Sequence, residues 1–82
     1  MARVAPARLD VRSERLARMF EGAEDDGAID LKLAYRAKAC FEQRLIGALA
    51  DELPRGTVLT ALQAAIATAR VETAKAIRGG EI

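Results

Sequence analysis

Lys38 and Glu42 stand four residues apart, the spacing that brings an ammonium and a carboxylate together on one turn of a helix. Arg3, Arg8, Arg12, Arg15 and Arg18 crowd the first twenty positions against two carboxylates, Asp10 and Glu14. Glu21, Glu24, Asp25, Asp26 and Asp30 follow at once. The chemistry open to these groups is ionic: holding an anion on the arginines, a cation on the acids, or setting the register of a helix pair with the Lys–Glu couple. Lys38 and Glu42 could set the register of an assembly or bind a polar group of a partner, and Arg8, Arg12, Arg15 and Arg18 could recognise phosphates on nucleic acid, since Arg8, Arg12 and Arg15 share a face if a helix begins early. No aromatic residue is interleaved with them, and the acidic run behind them works against a phosphate backbone.

Covalent and metal chemistry find little support. The chain has no histidine, so the commonest general base and the Cys/His zinc arrangements are missing. Ser13 is the only serine and has no imidazole to activate it, while Cys40, the only cysteine, reads as a small apolar helix residue that can form no disulfide within the chain. The acidic run lacks the D-x-[DN]-x-[DN]-G loop and closing glutamate of a calcium site. Arg44, Lys38, Glu42 and Gln63 are types that small helical chorismate mutases use to grip a dianion, yet the arginine–glutamate motif of those enzymes has no counterpart. No P-loop, dinucleotide fingerprint or nucleophile elbow is present. The expectation is therefore a non-enzymatic chain without cofactor or metal.

The elements that carry these residues are helices. A segment over 1–9, with Pro6 and no period, reads as an arm. Asp10 is placed to cap a first helix over 10–22, gathering Leu9, Leu16, Met19, Phe20 and Ala23 on one side with Gly22 at its end. Glu24 to Gly27 reads as an acidic turn in which Asp25 or Asp26 accepts from the amides that open the next helix. A second helix is predicted over 28–53 from the recurrence of Leu31, Ala34, Tyr35, Phe41, Leu45, Ile46, Leu49 and Leu53. Pro54 ends it, Arg55 and Gly56 turn the chain, and Thr57 caps a third helix over 57–78, closed by Gly79 and Gly80. So short a connection dictates an antiparallel hairpin, with Leu59, Leu62, Ile66, Ala69, Thr73 and Ala76 turned to the second helix. The fold class is all-α, a short N-terminal helix followed by a long antiparallel helical hairpin.

Between Gly56 and Ala69 no side chain is charged, although charged residues make up 30% of the chain. A helix apolar on all sides is normally covered on all sides. Val58, Ala61, Leu62, Ala65, Ile66 and Ala69 are accordingly expected to form a protein interface, with Leu62 and Ile66 on the second helix and Val58, Ala61 and Ala65 on another chain. With 82 residues, one core and neither disulfide nor metal to brace it, a protein partner or a homo-oligomer is the remaining source of stability. The reading is an adaptor, chaperone, inhibitor or assembly subunit, with a small dimeric DNA-binding regulator as the alternative. No run of apolar residues is long enough to span a bilayer and no signal peptide is visible, so no membrane is expected and a cytoplasmic location is.

Overall fold

In the computed structural model, which describes residues 11–82, the chain folds as three α-helices: α1 (Val11–Phe20), α2 (Leu31–Glu52) and α3 (Val58–Arg78). Asp10 and the arm before it, with Arg3, Arg8 and Leu9, lie outside the described residues.

Each helix ends for a local reason. Gly22 adopts φ +107°, and past it the Ala23 amide donates to the Arg18 carbonyl at 3.0 Å, a left-handed glycine cap that closes α1. The same device closes α3: Gly80, at φ +70°, lets the Glu81 amide donate to the Ala76 carbonyl at 2.9 Å. The start of α2 is Asp30, whose carboxylate accepts from the Lys32 and Leu33 amides at 3.0 and 3.2 Å. This corrects the expected cap at Asp25 or Asp26 and moves the helix start from residue 28 to Leu31. The Asp25 carboxylate is held elsewhere, accepting from the Gly27 amide at 2.8 Å and from Arg15 Nε at 3.1 Å. At the other end, α2 tightens into a 3-10 turn over Leu53–Arg55 around Pro54, and the Thr57 hydroxyl accepts from the Thr60 amide at 3.1 Å to open α3.

Helices α2 and α3 form the antiparallel hairpin. Leu33 and Ala37, early in α2, pack with Ala74 and Ile77, late in α3, and Leu16 and Ala17 of α1 complete the cluster. The surface between the two long helices is lined by small residues: Ala61, Ala65, Ala69, Thr73 and Ala76, at steps of four, four, four and three, are all buried. The inward stripe was expected to begin with Leu59 and Leu62; in the first half of α3 it is instead the alanines, and Leu59 stays 63% exposed. Alanines let the helix axes approach closely, whereas leucines on that line would hold them apart. A parallel correction applies to the second helix, where Leu31, Tyr35 and Ile46, and Leu53 in the turn after it, are exposed and Leu33 and Ala37 are buried.

Candidate functional site

Helix α1 covers only part of the hairpin. Its ten residues span about 15 Å against roughly 33 Å for the twenty-two of α2. It lies at the end away from the turn, where Phe20 meets Phe41 of α2 with ring centroids 5.9 Å apart. An ionic clamp fixes it there. The Arg78 guanidinium, on the last residue of α3, donates to Glu14 at 3.0 and 2.9 Å and to Glu21 at 2.6 and 2.9 Å, forking onto both carboxylates. The hydrogen bonds from Arg78 hold Glu14 and Glu21 below the ordinary carboxylate range, and those carboxylates, Glu21 first, hold Arg78 above the ordinary arginine range.

Beyond α1 the seam between α2 and α3 runs on uncovered toward the turn. Leu45 and Leu49 follow Phe41 at successive steps of four and so continue the edge of α2 that α1 occupies. Ile66 precedes Ile77 by eleven residues, three turns on the face of α3 that packs against α1, and Leu62 and Leu59 extend that line toward the turn. Leu45, Leu49 and Ile66 are half-buried, while Leu59 and Leu62 are exposed. By helical register these side chains fall along one apolar edge of the hairpin, beside the buried Ala61 and Ala65.

The opposite edge of the same seam is polar. A cleft of about 410 Å³ there is lined by Gln43, Arg44, Gly47, Ala48, Asp51, Thr68 and Glu72, with Arg44 Nη1 3.5 Å from Glu72 Oε1. The Cys40 side chain first, and Glu72 after it, hold Arg44 above its ordinary pKa. The two edges thus differ in what they accept: water and ions on one, apolar side chains on the other. A smaller apolar hollow, about 290 Å³, adjoins α1 and is lined by Leu16, Met19, Phe20 and Ala34.

Of the residues expected at an interface, Leu62 and Ile66 fall by helical register on this apolar edge, and Val58 is 71% exposed beside the turn. Ala61 and Ala65 are buried within the hairpin, which corrects their assignment to another chain, and Ala69 is buried with them on the inward stripe where it was expected. The reason is rotational: the four-residue alanine series, not the leucines, is in phase with the buried Thr73 and Ala76. Leu45, Leu49 and Leu59 were missed as site residues. Their signal was present, since the predicted first helix is too short to cover both predicted long helices.

The arginines are not one cationic face. Arg15 is tied down, donating to Asp25 and, at 2.9 Å, to the Ala28 carbonyl, and its guanidinium occupies the space a Cβ on Gly27 would need. Arg18 approaches the same Asp25 at 4.0 Å. Arg12 is exposed, and Arg8 lies outside the described residues. Asp25 is held below the ordinary range by the Gly27 amide first and by Arg15 and Arg18 after it, so the acidic turn and the first helix partly neutralise each other. Among the described residues no helix is long and apolar enough to cross a membrane. No family model, curated protein or solved structure matches the chain.

Proposed function

We propose that this chain is a non-enzymatic helical module that binds protein, another molecule or copies of itself, through the open side of its hairpin. The observation that carries the reading is the run of Leu45, Leu49, Leu59, Leu62 and Ile66, half-buried or exposed apolar side chains on the edge that α1 covers for only half its length. Apolar surface gathered in a groove, with polar residues on the opposite edge, is the arrangement that receives an amphipathic helix. An adaptor, chaperone, inhibitor or assembly subunit acts by such contact. The DNA-binding alternative has less support, because Arg15 and Arg18 already face Asp25.

The test is a photo-crosslinking residue at position 62, with position 43 on the polar edge as control. A discrete protein adduct at 62, absent at 43 and lost when Leu59→Glu is added without loss of helical circular dichroism, is the expected result. Equal labelling at both positions overturns the reading. So does salt-dependent binding to duplex DNA that Arg12→Gln with Arg18→Gln abolishes, which would make the alternative the function.

A further inference from the structure

The edge of α2 that carries Leu45 and Leu49 shows a second pattern along its whole length. From Leu31, steps of four and three pass through Tyr35, Lys38, Glu42, Leu45 and Leu49. Leu31 and Tyr35 are exposed by 67% and 73%, Lys38 and Glu42 are exposed, and Leu45 and Leu49 are half-buried. The pattern is symmetric about residue 40. Leu31 and Leu49 lie equally far from it, as do Tyr35 and Leu45, and as do Lys38 and Glu42. Within the chain Lys38 Nζ is 3.0 Å from Glu42 Oε2, and both side chains remain more than half exposed, so each has room for a second ionic partner. Ala39 and Ile46 flank the stripe without adding charge.

We infer that α2 pairs antiparallel with α2 of a second copy of this chain, about a two-fold axis at residue 40. The inference rests on the reading that the chain associates, and it names a second copy as the occupant of the α2 side of that surface, with which it shares Leu45 and Leu49. In that register Leu31 meets Leu49 of the other copy, Tyr35 meets Leu45, and Lys38 meets Glu42, in layers spanning about 27 Å. The four ions close into a ring, Lys38 to Glu42 within each copy and across to the other. A surface with this symmetry is complementary to itself, as a two-fold interface requires, and nothing about a foreign helix would demand it. Competing arrangements are disfavoured by the same residues. A parallel pair sets Lys38 on Lys38 and Glu42 on Glu42, and a shifted antiparallel pair sets the ions against leucine or tyrosine.

Sedimentation equilibrium on the parent chain, on Lys38→Glu, on Glu42→Lys and on a mixture of the two variants tests this. The parent is expected to be a dimer. Each variant alone places like charges opposite one another twice and is expected to weaken association by about tenfold or more. The mixture restores opposite charges across the interface while leaving like charges within each chain, so a heterodimer within a few-fold of the parent affinity is expected. A monomeric parent, variants that associate as the parent does, or a mixture no tighter than its components overturns the inference. Direction is read separately in a Cys40→Ser background: Leu31→Cys mixed with Leu49→Cys should form a disulfide on oxidation, and Leu31→Cys alone should not. A disulfide from Leu31→Cys alone overturns the antiparallel register. The groove is scored by the position-62 adduct. Because Leu45 and Leu49 are shared, the readings separate at position 62: a dimer that leaves position 62 unlabelled overturns the groove reading only, and an adduct at 62 with a different protein from a monomeric parent overturns this inference only.

Discussion

Two residues show how individual side chains set the stability of so small a core. Thr73 is fully buried, and among the described residues its hydroxyl has no hydrogen-bond partner. An unmet buried hydroxyl is unfavourable by about 1–3 kcal/mol, so Thr73→Val, which keeps the shape, is expected to stabilise the chain by about 1 kcal/mol and raise its Tm by roughly 4–8 °C. A thermal melt with unchanged or lower Tm would show that the hydroxyl is satisfied. Arg78 contributes in the opposite way. Glu14 and Glu21 titrate below their ordinary value of 4.5 because they accept from Arg78. A carboxylate with a depressed folded pKa stabilises the fold above its unfolded pKa, and the contribution is lost as pH falls through the folded value. Arg78→Gln is therefore expected to be less stable than the parent at pH 7, with the gap closing below about pH 4.5 in urea titrations at stepped pH. A gap that stays constant into acid would mean that Arg78 acts by packing alone. Burial of Thr73 was legible in the sequence as part of the inward stripe of the third helix, whereas the clamp was not, since Arg78 and Glu14 are 64 positions apart and only the docking of α1 on the end of α3 joins them.

At the scale of the element, the sequence showed where helices stop better than how they turn. Gly22, Pro54, Thr57 and the closing Gly79–Gly80 pair act locally, through φ, a missing amide or a side-chain oxygen, and each terminates or opens a helix as its chemistry dictates. Helix rotation is a tertiary property. On α3 both the leucines and the alanines recur at helical spacing, and hydrophobicity alone favours turning the leucines inward. The packing resolves the ambiguity the other way, with Ala61, Ala65 and Ala69 on the helix seam and Leu59 and Leu62 on the rim. The open side of the hairpin was thus readable as a place, whereas the residues that line it required the rotation. This arrangement reverses the usual ranking of substitutions by size. Ala65→Leu is expected to destabilise by about 1–3 kcal/mol, because the added carbons must separate two close helices. Leu62→Ala is expected to change stability by less than about 1 kcal/mol, because the side chain it shortens is 37% exposed. Urea denaturation of the two variants compares them directly. If Leu62→Ala proves the more damaging, the rotation of α3 differs from that described here.

Over the whole molecule, the buried set is dominated by alanine. Leu16, Leu33 and Ile77 are the larger apolar residues buried among those described, while Val11, Leu31, Tyr35, Ile46, Leu53, Val58, Leu59, Leu62 and Val71 are exposed. Fully burying a Val, Leu or Ile side chain stabilises by roughly 1.5–3 kcal/mol, so a sizeable part of this chain's hydrophobic potential is left on its surface. A domain of this size is marginal even when its large side chains are inside. In the proposed association the remainder would contribute to folding, and stability would then depend on concentration. For a chain that folds as a dimer, hundredfold dilution from saturating concentration removes on the order of 1–3 kcal/mol, and Tm falls by roughly 4–8 °C for each kcal/mol. The parent chain is therefore expected to show a Tm that rises steadily with its own concentration when melted across that range by circular dichroism. Lys38→Glu, which sets like charges opposite one another across the proposed α2 edge, should flatten the dependence and leave a lower Tm that no longer responds to dilution. Adding an equal amount of Glu42→Lys should restore it. If the Tm of the parent is already independent of concentration, the alanine core is sufficient alone, and the exposed leucines belong to contact with a different protein or to none.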